Sequence, residues 1–471
     1  MPSRLNWRLS RAALAVLVLC GPAGPALAAP KEKDSAPKPA ACAFPSPPAA
    51  RGAIYTDLVV APVGAWVTVY GSGFGASGDV TLGGTAQTAL LYSPTCVIFE
   101  VSGTGGDLKV GGKAAGQIEV HAGRVLEAKP SNLRGVWDGA RAGDVIYLRG
   151  GNYQSQYGEG DWYQDSTLET YKQGRPTQPI ALVGYPGEKA QFLPLPDSRH
   201  SVIALGDANS HQRRASNLVF ANLAITGTGD CIFGGGDTTD GYGGPDETGA
   251  TNIRIVNTVC TITDATNNTM TGMFATQGDG WKILGNTFHD PPNRAVIKNN
   301  HAIYIQGGAD NVEVAYNQLV NLHVGHTIQI HQDGKAKLYE NIHIHDNLLE
   351  AKLNTDMRGI SVVEVDDAST VVIERNILRN LGADFSGVAV YRGKVLILDN
   401  QFFGIRAQAI SANGQRGGTL SIVASGNRFE TVEGYPAVGA ENGASMKDVK
   451  LANNRYCGNT KALEADARPC Q

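Results

Sequence analysis

The chain has 471 residues, of which 42% are hydrophobic and 18% are charged. This composition is typical of globular domains and excludes a disordered or fibrous protein. The formal charge of −4 offers no basic surface to nucleic acid or to an anionic bilayer. No segment beyond the N-terminus approaches the roughly 20 apolar residues of a membrane span, so we expect no membrane insertion.

The N-terminus has the features of an export signal. Residues 1–28 carry three arginines, the apolar run AALAVLVLC and then Ala26-Leu27-Ala28, which together predict a cleavable signal peptide and a secreted or periplasmic protein. Residues 29–51 are rich in proline and alanine, a composition that predicts a linker.

Six cysteines follow the predicted signal: Cys42, Cys96, Cys231, Cys260, Cys457 and Cys470. An even number of cysteines in an oxidising compartment indicates disulfides, and the absence of a CxxC pair argues against zinc or redox chemistry. We predict the pairs Cys231–Cys260 and Cys457–Cys470, the latter because it closes a short C-terminal loop.

Residues 52–122 contain short β segments separated by glycines, among them WVTVYGSGFG, DVTLGG and CVIFEVSG. This spacing predicts a small β-sandwich. The stretch PVGAWVTVYGSGFGASGDVTLGG resembles the start of IPT/TIG immunoglobulin-like domains. The resemblance implies a spacer or binding module without catalytic residues.

A different pattern begins after residue 123. The segment SNLRGVWDGA predicts a short capping helix with Ser131 as its N-cap. Beyond it, an asparagine closes one short strand after another at intervals of 24 to 31 residues: Asn257, Asn286, Asn317, Asn347, Asn376, Asn400, Asn427 and Asn454. Such a repeat predicts stacked coils with an inward apolar row and a ladder of asparagine amides.

The repeat resembles the pectate-lyase-like superfamily of secreted β-helix proteins. The expected fold is all-β, a right-handed parallel β-helix over residues 123–456 with a C-terminal cap at 457–471 and the small sandwich in front. The resemblance is specific for fold but not for function, since this scaffold carries lyases, hydrolases, epimerases and adhesins.

Alternation within each coil predicts the residues of its outer wall. The isoleucines of the AIYIQ and TIQIH segments are expected to point inward, and equivalent positions on neighbouring coils lie about 4.8 Å apart. The outward rows then contain polar side chains: Tyr304, Gln306, Gln329 and His331, followed by Ser361 and Tyr391.

A second column lies two residues before the inward isoleucines and contains His301, His326 and Arg358. Three potentially cationic groups repel one another unless an anion bridges them. A polyuronate carboxylate is a suitable bridge, so we expect the partner to be an acidic polysaccharide. We also expect the protein to act as a monomer.

Long segments flank these strands at 233–251, 261–271 and 287–300, and we expect them to wall a groove. Arg294 and Lys298 are then able to reach the same cleft, and Asp333 follows in the adjoining turn. The expected substrate-binding residues are Gln306, Gln329, His301, His326, Arg294 and Asp333.

β-Elimination on an acidic glycan needs a base for the C5 proton, an acid for the glycosidic oxygen and a group that neutralises the carboxylate. His331 is the candidate base because an imidazole titrates near pH 6.5, and Tyr304 is the candidate acid. Arg358, Lys298 and His326 are the candidates for neutralising the carboxylate, a task that calcium performs in some relatives. Calcium is the candidate cofactor, with Cys231, Asp237 and Asp240 of the glycine-rich loop as candidate ligands; the alternative is a solvated loop without a metal.

Two alternatives remain open at this point. A glycoside hydrolase on the same scaffold requires paired carboxylates, and Asp366 with Asp367 is interpreted as part of a turn instead. A non-catalytic carbohydrate-binding or cell-surface protein is also compatible with the IPT/TIG-like module.

Overall fold

Parallel strands recur in every coil between residues 125 and 456. The structure is a computed structural model, and it describes residues 42, 54–158, 166–198, 201–206, 214–235, 249–266, 272–291, 297–306, 308–331, 339–351, 357–367, 369–382, 386–431, 436–458, 460–463, 467–468 and 470. Within these residues three long parallel sheets run the length of the solenoid. The predicted right-handed parallel β-helix is confirmed.

Each coil contributes one strand to each sheet in turn. In the described residues, the first sheet consists of Val125–Ala128, Val145–Leu148, Ile180–Gly184, Ser216–Ala221, Thr251–Val256, Lys282–Leu284, Glu313–Ala315, His343–His345, Thr370–Glu374, Gly393–Leu398, Leu420–Ser425 and Val449–Ala452. The second consists of Gly151–Tyr153, Ala190–Phe192, Ala224–Gly227, Val259–Ile262, Thr287–His289, Gln318–Val320, Leu348–Glu350, Ile377–Arg379, Gln401–Ile405, Arg428–Thr431 and Arg455–Tyr456.

The third sheet carries the candidate site. Its described strands are Tyr157–Gly158, Leu168–Thr170, Ile203–Leu205, Ile232–Phe233, Phe274–Gln277, Ile297–Gln306, Val324–Ile330, Arg358–Val362, Val388–Val390, Ile410–Asn413 and Val438–Glu441. The prediction of a long loop over 287–300 is therefore wrong in part, because Thr287–His289 and Ile297–Gln306 are strands.

The inward rows of the third sheet form a continuous apolar stack. Ile303, Ile328 and Ile360 are register partners and are fully buried, as are Ile305 and Ile330. Burial of each aliphatic side chain contributes roughly 1.5–3 kcal/mol to stability. The predicted parity of these strands is confirmed, and it turns the intervening polar side chains outward.

The asparagine ladder lies between the first and second sheets. The backbone N and Nδ2 of Asn317 both donate to Oδ1 of Asn347, at 3.0 and 2.9 Å. Nδ2 of Asn317 also donates to the carbonyl of Ile283 in the preceding coil. The same arrangement continues through Asn454, so the ladder ties successive coils together through buried amides.

Asn257 is not part of this ladder, so the prediction that it belongs to the ladder is wrong. Val256 pairs with Leu284, which sets Asn257 beside Gly285, one position before the ladder residue Asn286. The amide of Asn257 instead donates to Oδ1 of Asn222 at 2.9 Å. The two positions are adjacent in sequence, so the spacing of asparagines alone does not distinguish them.

The N-terminal strands form two further sheets, which match the expected small β-sandwich. In the described residues the four-stranded sheet has the order Tyr55–Thr56, Trp66–Tyr70, Cys96–Glu100 and Thr88–Tyr92, and the five-stranded sheet has the order Val60–Pro62, Lys113–His121, Gly106–Val110, Val80–Leu82 and Thr85–Ala86. Most of these pairings are antiparallel.

The four-stranded N-terminal sheet packs on the coils that contain Ser216–Ala221 and Thr251–Val256 through buried polar contacts. Asp57 accepts from Nδ2 of Asn222 at 3.0 Å, and the hydroxyl of Tyr70 donates to Oδ1 of the same asparagine. Burial raises the pKa of Asp57 from 3.8 to about 6. Nη2 of Arg254 donates to the carbonyl of Thr56 at 2.6 Å. These contacts hold the first strands of the sandwich against the solenoid.

Three disulfides join cysteines in the described residues: Cys42–Cys96, Cys231–Cys260 and Cys457–Cys470. The two predicted pairs are confirmed. In an unfolded-chain account, the 29-residue separation of Cys231 and Cys260 corresponds to a stabilisation of roughly 3–4 kcal/mol.

Helices are short and few in the described residues. The α-helix Leu133–Asp138 buries Leu133 and Trp137. Asn132 precedes it and no side chain caps it, so the predicted N-cap Ser131 is wrong. Two 3₁₀ turns, Gly414–Arg416 and Met446–Asp448, follow strands. None of these helices is long and apolar enough to cross a membrane.

Candidate functional site

Register along the third sheet brings distant polar residues side by side. His301, His326 and Arg358 are successive register partners. Tyr304 likewise pairs with Gln329, and Gln329 pairs with Ser361. The Tyr304 column faces outward because the isoleucines on either side of Tyr304 are buried in the coil interior. Alternation does not explain the His301 column, since it lies two residues before the inward isoleucines.

A cleft of about 500 Å³ opens on these columns. Nine described residues line it: His326, Gln329, His331, Arg358, Ser361, Val363, Tyr391, Gln415 and Arg416. Two guanidinium groups and two imidazoles stand among them, and none of the nine is a carboxylic acid. The lining is therefore complementary to an anionic ligand.

His331 lies between a tyrosine and an arginine. Its Nδ1 is 3.4 Å from the hydroxyl oxygen of Tyr304, and its Nε2 is 3.0 Å from Nη2 of Arg416. A guanidinium only donates hydrogen bonds, so Nε2 of His331 is the acceptor. A neutral His331 then carries its ring proton on Nδ1, directed at the phenol of Tyr304.

His326 is held neutral at the floor of the cleft. Burial is the main cause that lowers its pKa well below 6.5, and the nearby charges of His301, Arg358 and His331 lower it further. Its Nε2 accepts a hydrogen bond from Nη1 of Arg358 at 3.1 Å. The contact leaves the positive charge of the pair on Arg358.

His301 supports Tyr304 from below. Their rings stack with centroids 4.2 Å apart, and the ring of His301 also stacks on that of His326 at 5.7 Å. His301 is 5% exposed and is not among the lining residues of the cleft. This position suits a residue that orients Tyr304 better than one that touches a ligand.

The sequence-predicted residues divide into three groups. His326, Gln329, His331 and Arg358 line the cleft, and Tyr304 contacts His331. Gln306 pairs with Gln277 on the same sheet but does not line the cleft. Arg294, Asp333 and the side chain of Lys298 lie outside the described residues, although the backbone of Lys298 belongs to the strand Ile297–Gln306.

Arg416 was not predicted from the sequence. It lies 85 residues after His331 in the chain, in the 3₁₀ turn that Asn413 caps by accepting from the backbone N of Gln415. Coil periodicity predicts neighbours along a strand but not the direction taken by a turn. The only local signal is the asparagine-glycine-rich segment NGQRGG directly after a strand.

Three acidic groups lie on nearby coils: one contacts a residue that lines the cleft, and two contact residues that do not line it. Glu364 is 3.7 Å from Nη1 of Arg416, and Glu441 accepts from the hydroxyl of Ser411 at 2.6 Å. Asp367 is 3.7 Å from Arg392.

The described residues contain no group of three or more His, Cys, Asp or Glu side chains with metal-binding geometry. Cys231 is part of a disulfide. The candidate calcium ligands Asp237 and Asp240 lie outside the described residues, in the glycine-rich segment 236–248.

Comparison with known proteins yields structural neighbours only. No family model and no curated protein matches the chain. An alginate lyase from Paenibacillus sp. FPU-7 is 13% identical, with a TM-score of 0.34, and the match covers 72% of this chain and 99% of the lyase.

Two further neighbours cover similar shares of this chain. PfbA, a surface adhesin of Streptococcus pneumoniae, is 12% identical with a TM-score of 0.44, over 69% of this chain and 80% of the adhesin. The PL6 family alginate lyase AlyGC is 14% identical with a TM-score of 0.33, over 74% of this chain and 53% of the lyase. This chain therefore spans about half the length of AlyGC.

Proposed function

We propose that the protein is a polysaccharide-active enzyme that cleaves an acidic, uronate-containing glycan by β-elimination. The observation that carries the proposal is the cleft of the third sheet, in which Arg358 and Arg416 flank His331 and the neighbouring Tyr304. Two permanent cations in one cleft fit a substrate that carries carboxylates.

The lining residues favour elimination over hydrolysis. Glycoside hydrolases of the common type place two carboxylic acids about the scissile bond. Among the described lining residues none is an acid, and Glu364 is close to Arg416. A cationic cleft instead stabilises the carboxylate on which charge builds up when the C5 proton leaves.

The Tyr304–His331 pair takes up and returns every proton that the proposed reaction moves. The pair begins as the phenolate of Tyr304 and a neutral His331. The C5–H bond breaks and its proton passes to the phenolate oxygen, while its electrons form the C4–C5 double bond. The C4–O bond then breaks, and the departing glycosidic oxygen takes a proton from the pair. No other reactant is consumed, and the pair returns to its starting protonation state.

Arg416 favours a division of roles that differs from the sequence expectation. Because Nε2 of His331 accepts from Arg416, that atom is occupied, and Nδ1 directs a proton at Tyr304. Tyr304 is then the proton carrier, and His331 stabilises the phenolate form of its oxygen. Arg358 and Arg416 bind the substrate carboxylate.

The test is incubation of the protein with alginate, pectate, gellan and glycosaminoglycans. The ultraviolet absorbance of an unsaturated uronate supports elimination. New reducing ends without that absorbance indicate a hydrolase, and glycan binding without any product indicates a non-catalytic binding protein. Either of these two outcomes contradicts the proposal.

We further propose the following organisation of the chain. Residues 1–28 are a signal peptide for secretion or the periplasm, 29–51 are a linker, and 52–122 are an IPT/TIG-like domain. The β-helix spans 123–456, residues 457–471 form a C-terminal cap, and the protein acts as a monomer. The contact of Asp57 with Asn222 supports a structural role for the sandwich, because it packs on the solenoid instead of standing apart.

A further inference from the structure

The two proposed proton-handling groups approach the cleft from one side. The hydroxyl oxygen of Tyr304 and Nδ1 of His331 are 3.4 Å apart on neighbouring strands of the same sheet. Their separation restricts the stereochemistry of any elimination that the pair performs, whichever of the two accepts the proton.

An anti elimination needs its base and its acid on opposite faces of the sugar ring. Each group must come within about 2.6–3.2 Å of the atom it serves, so the ring between them holds the two groups roughly 6 Å or more apart. A separation of 3.4 Å leaves no room for a sugar ring. Tyr304 and His331 therefore act on the same face.

The second histidine of the cleft is unsuited to the opposite face. His326 lies at the floor, 7% exposed, and its Nε2 accepts from Arg358. Arg358 and Arg416 remain cationic at any pH of interest, so they bind carboxylate and do not accept a proton. Tyr391 also lines the cleft, so the restriction applies to an elimination in which the Tyr304–His331 pair both removes the C5 proton and protonates the C4 oxygen.

We infer that the substrate is a uronate whose C5 hydrogen and C4 oxygen lie on the same face of the ring, which restricts it to 4-linked D-mannuronate or D-glucuronate. In D-galacturonate the C4 oxygen lies on the opposite face, and in L-guluronate and L-iduronate the C5 hydrogen does. The inference rests on the proposed elimination and narrows its substrate class.

The experiment compares four polymers in one assay of unsaturated product: polymannuronate, a glucuronan, polyguluronate and polygalacturonate. We expect product from polymannuronate or the glucuronan, and at least 100-fold less from the other two. Tyr304→Phe should lower product formation by at least 100-fold. His289→Gln changes an exposed residue on the second sheet; it serves as the matched control and should retain the activity.

The outcomes separate this inference from the proposed function. Efficient cleavage of polyguluronate or polygalacturonate overturns the stereochemical inference and leaves the lyase proposal in place. Loss of that cleavage in Tyr304→Phe would then show that a second group serves the opposite face. Absence of product from all four polymers contradicts both the proposed function and the inference.

Discussion

Nη1 of Arg358 donates to Nε2 of His326 across 3.1 Å, one coil apart on the third sheet. The pair keeps a neutral imidazole and a permanent cation in contact at the floor of the cleft. Burial and the charge of Arg358 both lower the pKa of His326 well below 6.5. The guanidinium thereby keeps the positive charge of the pair in the lining of the cleft, where a carboxylate can reach it.

Arg358→Gln should weaken the binding of an acidic oligosaccharide by about 10- to 100-fold, since a hydrogen bond to a charged group contributes about 1.5–3 kcal/mol. The pKa of His326 should rise, because one of the charges that lowers it is gone, but should stay below 6.5 because the burial remains. Calorimetry and an NMR titration of the histidine measure the two effects.

The control for that variant is Arg379→Gln. Arg379 lies on the second sheet, 3.7 Å from Glu350, and its loss changes the net charge equally. Equal loss of binding in the two variants would mean that the whole-molecule charge, and not the cleft, attracts the glycan.

Tyr304→Phe should lower kcat by roughly 10²- to 10⁴-fold, the usual effect of removing a general acid or base. Substrate affinity should change little, because the arginines that bind the carboxylate remain. The measurement is steady-state kinetics together with binding to the variant. Parallel losses in kcat and in affinity would instead indicate that Tyr304 shapes the cleft and does not transfer the proton.

The ladder makes a strong prediction about stability. Oδ1 of Asn347 accepts from the backbone N and from Nδ2 of Asn317, and its own Nδ2 donates to Oδ1 of Asn376 and to two carbonyls. Asn347→Ala leaves several buried groups without partners, so we expect a loss of about 3 kcal/mol or more in the free energy of unfolding.

Chemical denaturation measures that loss, and Asn341→Gly is the matched control. The amide of Asn341 donates to Asn311 on an exposed surface, and its positive φ of 50° is a conformation that glycine tolerates. We expect less than about 0.5 kcal/mol for the control. Similar losses of unfolding free energy in both variants would mean that burial of the asparagine ladder does not determine how much it contributes to stability.

The sequence predicted the architecture better than the site. Ile303, Ile328 and Ile360 follow a strict alternation, and one register error would expose them all, so the outward rows with Tyr304 and His331 followed directly. The wrong assignment of Asn257 to the ladder shows where prediction from residue spacing fails. Two adjacent asparagine positions both recur along the coils, and only backbone pairing tells them apart.

Arg416 marks a second limit. Arg416 lies in a turn that does not follow the coil repeat. The direction of its side chain therefore depends on local geometry, such as the Asn413 cap, and not on the coil period. His301 shows a third. Its column with His326 was predicted, but its stacking beneath Tyr304 requires a local departure from ideal alternation that no spacing of residues indicates.

An acid–base network on the first sheet predicts a pH-dependent contribution to stability. A hydrogen bond from Nε2 of His345 to Glu313, at 3.1 Å, lowers the pKa of Glu313 from 4.5 to about 2, with help from Lys282. Burial alone would lower the pKa of His345, but its hydrogen bonds to Asp346 and Glu313 outweigh burial and raise it above 6.5.

Glu313→Gln should therefore destabilise the protein by about 1–2 kcal/mol near pH 6, a value reduced for solvent screening. The contribution of Glu313 is complete above pH 4.5 and is lost as the pH falls toward 2. That of His345 is lost as the pH rises through its raised pKa. The difference in the free energy of unfolding between Glu313→Gln and wild type should shrink both as the pH falls and as it rises from 6. A difference that stays constant with pH would contradict this account.

The most direct test of the proposed site is a crystal structure of Tyr304→Phe with a bound uronate oligosaccharide. We predict that one carboxylate lies between Arg358 and Arg416, with C5 of that sugar facing residue 304 and Nδ1 of His331. An oligosaccharide bound on another face, or in this cleft with its carboxylate directed away from both arginines, would contradict the account.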